Sequence, residues 1–204
     1  ALGLSAQGGQ VGAVISDSLS GSVALATVRH LVNSGAVAQI ILLVPEDKLS
    51  SHTARQMQIL KNMQVAVCSW TSDSASRSRI TPLIESCHNI ICGFSDPLSS
   101  APLVVDPGLI DLLNDASTPL HTIEAPYGVH PETGAHYPQP LFCSSTLSLG
   151  APLTGLYHGS EYTGRHYLCD ISFTPAMYLS CGANLASLFS EQPVLQIFPV
   201  KAED

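Results

Sequence analysis

The chain has 204 residues, of which 45% are hydrophobic and 12% are charged, and its formal net charge is −8. This length predicts a single domain over residues 1–204, either complete or a fragment of a longer protein, with a substantial core. Only eight Lys and Arg residues occur, and they form no run, which argues against broad electrostatic binding of nucleic acid but leaves a local groove open. No apolar run approaches the roughly 20 residues that span a membrane. The low share of charge favours self-association through apolar surface.

Apolar runs alternate with helix-like segments through the first 126 residues. The predicted strands cover residues 11–16, 38–44, 65–70, 89–94 and 119–126. The predicted helices cover residues 21–34, 50–63, 82–87 and 109–115. A mobile, Ser-rich loop is expected over residues 71–79. Because the strands are apolar throughout, they predict a parallel sheet with helices on both faces.

The composition changes after Pro126. Pro, Gly, His and Tyr dominate residues 125–140, which predicts a long ordered loop. Strands are predicted over residues 145–152 and 166–173, with a last edge strand over 193–200. These elements predict a three-layer, Rossmann-like α/β sandwich with a mostly parallel central sheet. The six cysteines contain no Cys-x-x-Cys pair and are expected to be reduced thiols.

Polar turns follow the first and fourth predicted strands. In an open parallel sheet, ligands bind beyond the carboxyl ends of the strands, near the point where the strand order reverses. The residues predicted to bind a ligand there are Ser16, Asp17, Ser18, Ser20, Gly21, Ser22, Gly93, Ser95 and Glu124. Backbone N–H groups at the start of the first helix could hold an anion. Ser, Asp and Gly also form ordinary helix caps and tight turns, so both interpretations stay open.

Glu124 is the lone carboxylate at the end of the fifth predicted strand. It stands before a proline, which predicts an extended backbone. Its place at the mouth of the sheet suits a general base or a ligand for a ribose hydroxyl, and equally a solvated acid. The nearby stretch "HPETGAH" carries His130, Glu132 and His136 but lacks the downstream "P-C-x-x-C" of zinc deaminases. Loop histidines are therefore expected, and neither a metal nor a cofactor is predicted.

Four stretches in this order resemble the YjeF N-terminal domain family. The first, "SDSLSGSVALATVRHL", stands where the family has "GPGNNGGDG" and a helix ending in "ARHL". The second, "CGFSD", resembles the family's "FGTG" turn, and "IEAPYGVHPETG" resembles its "DIPSG…G" segment. The fourth, "GAPLTG", resembles its "APK" segment. The tail "TGRHYLCDISFTPAMYLSCGANLASLF" is most similar to one branch, the enhancers of mRNA decapping.

The family's enzymes epimerise hydrated NAD(P)H, and this chain departs from their motifs at three places. Glu124 stands where they have Asp, Leu153 stands where they have the Lys of "APK", and most loop glycines are missing. Moving a carboxylate by about 1 Å can cost about a hundredfold in rate. Non-glycine residues also obstruct the close approach of a phosphate. We therefore expect no catalytic residues, with Glu124 and Leu153 as vestiges of a lost site.

The resemblance implies a non-catalytic dimerisation scaffold of an mRNA-decapping enhancer. It would form homodimers and assemble the decapping machinery in cytoplasmic mRNA-processing granules, and RNA binding would be a further role. Two alternatives stay open. One is an NAD(P)H-hydrate epimerase-like enzyme that uses Glu124 as its base, and the other is a sensor that binds a nucleotide without converting it.

Overall fold

A single mixed sheet organises the part of the chain that the computed structural model describes, residues 9–97, 103–183 and 188–198. Its strands are β1 (Gln10–Ile15), β2 (Val37–Leu42), β3 (Ala66–Ser69), β4 (Asn89–Gly93), β5 (Leu120–Ile123), β6 (Ser145–Leu149), β7 (Arg165–Cys169) and β8 (Val194–Gln196). They lie in the order β3-β2-β1-β4-β5-β6-β7-β8. Strands β1 to β7 pair in parallel and β8 is antiparallel at the edge. The predicted mostly parallel sheet and its last edge strand are confirmed.

The described helices cover both faces of this sheet. They are α1 (Leu19–Asn33), α2 (Ser51–Asn62), α3 (Ser74–Ser86), α4 (Pro107–Asp115), α5 (Thr154–His158), α6 (Ser160–Thr163) and α7 (Pro175–Ser180). Helices α1 and α2 pack on one face, and α3 and α4 pack on the other. The three-layer, Rossmann-like sandwich predicted from the sequence is confirmed.

The pleat of β1 shows why the strand is apolar throughout. Val11, Ala13 and Ile15 pack with the α1 and α2 side chains, whereas Val14 packs with α3 and α4. Successive side chains of a strand point to opposite faces of the sheet. When both faces are covered, every side chain faces a core, so the whole strand is apolar. The two hydrophobic clusters therefore lie on opposite faces of the sheet.

One helix begins where the sequence predicted a mobile loop. Helix α3 starts at Ser74 because the side chain of Asp73 caps it, accepting a hydrogen bond from the Ser76 N–H at 2.7 Å. Ile80 and Ile84 then lie one turn apart in the core. The expected loop over 71–79 and the expected short helix over 82–87 are therefore wrong: they are largely one helix, with a proline inside it.

Three short helices near the carboxyl end of the chain had no counterpart in the prediction. Helices α5, α6 and α7 have only four to six residues each, too few for an apolar repeat to be visible. Helix α7 nevertheless carries ordinary start signals, with Thr174 as its cap and a proline at its first turn. These helices lie after β6 and β7 and shape the surroundings of the candidate site.

Candidate active site

The strand order reverses between β1 and β4. The predicted polar turn over residues 16–22, here called the seryl turn, lies at that point. The Ser16 N–H donates to the Gly93 carbonyl at 3.1 Å, which joins the ends of the two strands. Ser18 caps α1, accepting from the Gly21 N–H at 3.0 Å, and its hydroxyl is 3.0 Å from that of Ser20. Ser20 in turn donates to the Ser95 carbonyl at 2.5 Å. Helix α1 therefore begins two residues before the predicted start, and its first turn is tied to the loop after β4.

Gly21 and Gly93 bring α1 against β4. A Cβ atom on Gly21 would overlap the Ser16 carbonyl oxygen, so its missing side chain serves packing inside the turn. A Cβ on Gly93 would lie 2.6 Å from the Ala24 Cβ and 2.7 Å from the backbone carbonyl oxygen of Ser20. These two glycines permit the close helix–strand contact that the last glycine of a dinucleotide-binding turn provides. The single-glycine turn keeps this packing role of the motif.

Two of the predicted ligand residues face a different neighbour. The Asp17 carboxylate accepts from the Ser50 hydroxyl at 2.7 Å. The hydroxyl of Ser22 lies 2.9 Å from that of Thr53 on α2. Both side chains therefore connect the turn to the start of α2. The residues that gather at the ends of β1 and β4 are Ser16, Ser18, Ser20, Gly21, Gly93 and Ser95.

Glu124 follows β5 at the carboxyl edge of the sheet and is only half-exposed. Its N–H donates to the Leu147 carbonyl at 2.8 Å, and its φ of 69° is left-handed. The expected extended backbone is wrong, because Pro126 is two residues further on and restricts Ala125 instead. A non-glycine residue held in this region stores strain of order 1–3 kcal/mol, and such residues cluster at active sites.

The surroundings of Glu124 favour its protonated form. The pKa of its carboxyl group is raised to about 7: burial, the largest cause, raises it, a hydrogen bond from the Leu149 backbone lowers it, and the nearby charge of Asp96 raises it. A carboxyl group with this pKa is populated in both protonation states at neutral pH. It can therefore donate and accept a proton, as a general acid–base must.

Asp96 belongs to the site although the sequence analysis did not select it. It lines a cavity of about 380 Å³ between the end of β4 and the loop after β5. The cavity is lined by Phe94, Ser95, Asp96, Pro97, Leu103, Tyr127, Gly128, Val129, His130, Pro131, Ala135, His136 and Tyr137. Asp96 could have been predicted as a site residue from the sequence, because it stands in the turn directly after a buried strand, beside Ser95. The predicted long loop thus forms one wall of a cavity at the mouth of the sheet.

Leu153 occupies an apolar environment. It lies at the start of α5 and packs against a buried cluster of Ala125, Val129, Leu156 and Tyr162. A leucine offers neither charge nor hydrogen bond to a ligand, so this position supports the cavity wall by packing. Among the residues described, His, Cys, Asp and Glu side chains form no group of three or more that could hold a metal.

The raised pKa of Glu124 predicts a pH dependence of stability. A group whose pKa is higher in the folded state favours folding below its unfolded pKa, here 4.5, and that contribution is lost as the pH rises through the folded value of about 7. We expect the wild type to lose stability relative to Glu124→Gln, which has no charge to lose, between these two values. Urea titrations of both proteins from pH 4 to 8 measure the difference. A difference that stays constant over this range would contradict the raised pKa.

The parallel sheet, with helices on both faces and a half-buried acid at its carboxyl edge, places the chain in the class of Rossmann-like α/β proteins. The model of the YjeF-related protein N-terminus family matches residues 2–155 of the chain. The chain therefore belongs to the YjeF-related N-terminal family, as the resemblance of its four stretches predicted.

Curated relatives of this chain carry enzyme names. It is 28% identical over 181 residues to the NAD(P)H-hydrate epimerase of Dehalogenimonas lykanthroporepellens, covering 89% of this chain and 69% of that protein. It is 26% identical over 172 residues to the bifunctional NAD(P)H-hydrate repair enzyme Nnr of Salinibacter ruber, covering 76% of this chain. The match spans only 30% of that longer protein. The crystal structure of yeast YNL200c superposes with a TM-score of 0.76 at 16% identity, covering 94% of this chain and 78% of that one, and shows the same fold.

These relatives correct the function expected from the sequence. The expectation of a non-catalytic decapping-enhancer scaffold, and with it mRNA decay, granules and RNA binding, is wrong, because the names of the matched relatives are those of epimerases and repair enzymes. The expectation gave most weight to the missing loop glycines and to Leu153. The structure shows that the packing glycines and the strand-end acid are present, and that Asp96, whose charge acts on Glu124, lines a cavity.

Proposed function

We propose that this chain is an NAD(P)H-hydrate epimerase-like enzyme in which Glu124 is the general acid–base. The observation that carries the proposal is a half-buried carboxyl group with a pKa of about 7 at the carboxyl end of β5, held in a strained left-handed backbone. The names of the relatives supply the substrate class. Glu124 is the alternative base that the sequence analysis had left open.

Epimerisation of a hydrate needs a group that can both donate and accept a proton. Inverting a carbon that carries a hydroxyl requires one bond at that carbon to break and to form again on the opposite face. Protonated Glu124 can give its proton to the departing hydroxyl, which leaves as water. The resulting carboxylate can then take a proton from the water that adds to the other face. The group ends in the state in which it began, and no outside oxidant or reductant is needed.

The seryl turn supports binding of the substrate's phosphate end. Helix α1 has 15 residues, and the N–H groups of its first turn carry the positive end of the helix dipole. Ser18 already accepts from the Gly21 N–H, so this donor is occupied by the protein itself. The turn therefore offers fewer free N–H donors than a glycine-rich loop, and we expect a higher KM than a glycine-rich turn would give.

An assay of the wild-type chain tests the proposal. Purified protein is mixed with one isolated epimer of hydrated NADH, and appearance of the other epimer is followed by chromatography. We expect conversion well above the spontaneous rate at pH 7. Conversion that never exceeds the protein-free rate, at substrate concentrations up to the millimolar range, would refute the proposal.

The homodimer and the cytoplasmic location stay predictions. The segment after β7 exposes Ile171, Phe173, Met177 and Leu179, which supports a second copy as a partner. Sedimentation velocity tests this, since a strict monomer of 21.5 kDa at high concentration would contradict it. None of the described helices is long and apolar enough to cross a membrane.

A further inference from the structure

A hydrogen bond between distant parts of the chain supports the backbone next to Glu124. Tyr178, on α7, donates its hydroxyl to the Gly150 carbonyl at 2.7 Å, and the side chain is only 8% exposed. Gly150 follows β6 directly. The end of this strand adjoins Glu124: the Leu147 carbonyl accepts from the Glu124 N–H at 2.8 Å, and the Leu149 backbone lies within hydrogen-bonding reach of the Glu124 carboxylate. The phenol and the acid therefore bind adjacent residues of one turn.

This turn is fixed on both sides of Gly150. The Gly150 N–H donates to the Cys169 carbonyl at 2.8 Å, and the Ala151 N–H donates back to the Leu149 carbonyl at 2.9 Å. Gly150 has a φ of 77°, and a Cβ there would lie 2.8 Å from the ring of Phe173. A glycine adopts positive and negative φ about equally well, so contacts with the rest of the chain must select the conformation seen here. Cys169 holds one end of the turn, and Tyr178 holds the other.

Helix α7 holds Tyr178 in place. Thr174 caps the helix, accepting from the Met177 N–H at 3.3 Å, and the Ala183 N–H donates to the Tyr178 carbonyl at 2.9 Å. The ring of Phe173 meets the Tyr178 ring edge-on, with centroids 6.0 Å apart. The phenol is thus anchored by its backbone, its ring and its hydroxyl.

We propose that Tyr178 is a positioning residue, which orients the Leu149–Gly150 turn so that the turn binds the Glu124 carboxylate. Its role in catalysis rests on the proposed function, but its effect on Glu124 does not. Without the hydroxyl, the buried Gly150 carbonyl loses its donor, and a buried unsatisfied carbonyl is costly enough to shift the turn. The hydrogen bond from Leu149 to the carboxylate then weakens. Because that bond favours the ionised acid, its loss raises the pKa of Glu124.

Tyr178→Phe tests this through the titration of Glu124, followed by carboxyl ¹³C NMR. We expect the midpoint to rise by about 0.5–1 pH unit, from its wild-type value near 7. In the enzymatic assay, the pH profile of kcat should move by the same amount while KM changes little. The matched control is Tyr167→Phe on β7, which removes a phenol hydroxyl from the neighbouring strand and should leave the Glu124 midpoint unchanged.

The outcomes separate the two proposals. An unchanged Glu124 midpoint in a Tyr178→Phe protein that is merely less stable would overturn the positioning role. A shifted midpoint in a protein whose wild type has no epimerase activity would support the positioning role and refute the proposed function. If Tyr178→Phe does not fold, Thr174→Ala, which loosens the start of α7, should raise the midpoint by a smaller amount. An unchanged midpoint in that variant would equally overturn the role.

Discussion

Glu124→Gln is expected to lower kcat for hydrate epimerisation by about a thousandfold, with a much smaller change in KM. General acid–base catalysis contributes about 10²–10⁴ in rate, and the amide can neither give nor take the proton. Glutamine keeps the size of the side chain and can still accept the hydrogen bond from the Leu149 backbone. The change therefore removes the proton transfer and leaves the shape of the site.

The control is Glu85→Gln, which makes the same change at an exposed position on α3. Its kcat should stay within about twofold of the wild type, as expected for a surface substitution away from the site. Unfolding cannot explain the loss in Glu124→Gln, because removing a charge that is costly to bury should make that variant the more stable protein above pH 7. A Glu124→Gln protein with nearly wild-type kcat would show that another group carries the proton.

Gly93→Ala should lose about 3 kcal/mol or more of the free energy of unfolding. The added methyl group would lie 2.6 Å from the Ala24 Cβ, 2.7 Å from the Ser20 oxygen and 3.0 Å from the Gly21 Cα. Two of these three neighbours are backbone atoms, so no side-chain rotation relieves the overlap. Overpacking of a filled core costs about 1–3 kcal/mol even where side chains can move, and rigid backbone neighbours raise that cost.

Gly108→Ala is the matched control for Gly93→Ala. The added Cβ would have its nearest neighbour at 3.4 Å, an ordinary contact, and the residue lies in the first turn of α4. Alanine is the better helix former, so we expect no loss of stability. Urea unfolding of the three proteins measures the difference. Equal stability of Gly93→Ala and the wild type would mean that α1 does not pack against β4 as closely as described.

The sequence by itself determined the architecture, and it predicted where a candidate site would lie. Strand runs such as 11–16 and 89–94 are apolar because both faces of their sheet are covered, and that pattern is readable without a structure. The parallel order then puts the turns after β1, β4 and β5 at one edge of the sheet. Ser16, Gly93 and Glu124 could be selected on that ground alone.

Tertiary structure decided what these residues do. Asp17 and Ser22 have the same local sequence signals as Ser18 and Ser20, yet the position of α2 turns them towards Ser50 and Thr53. Helix α3 starts at its Asp73 cap and packs Ile80 and Ile84 into the core. Because the stretch around the cap is rich in serine, the sequence alone predicted a loop there.

The acidity of Glu124 is the clearest case of a property absent from the local sequence. Burial is the main cause of a pKa near 7. A hydrogen bond from Leu149, 25 positions later in the chain, lowers the pKa, and the charge of Asp96, 28 positions earlier, raises it. Desolvation and Coulomb interactions depend on distance in space, which is set only when β4, β5 and β6 lie side by side. The sequence supplied an acid at the end of a strand, and the fold made it a group that titrates at neutral pH.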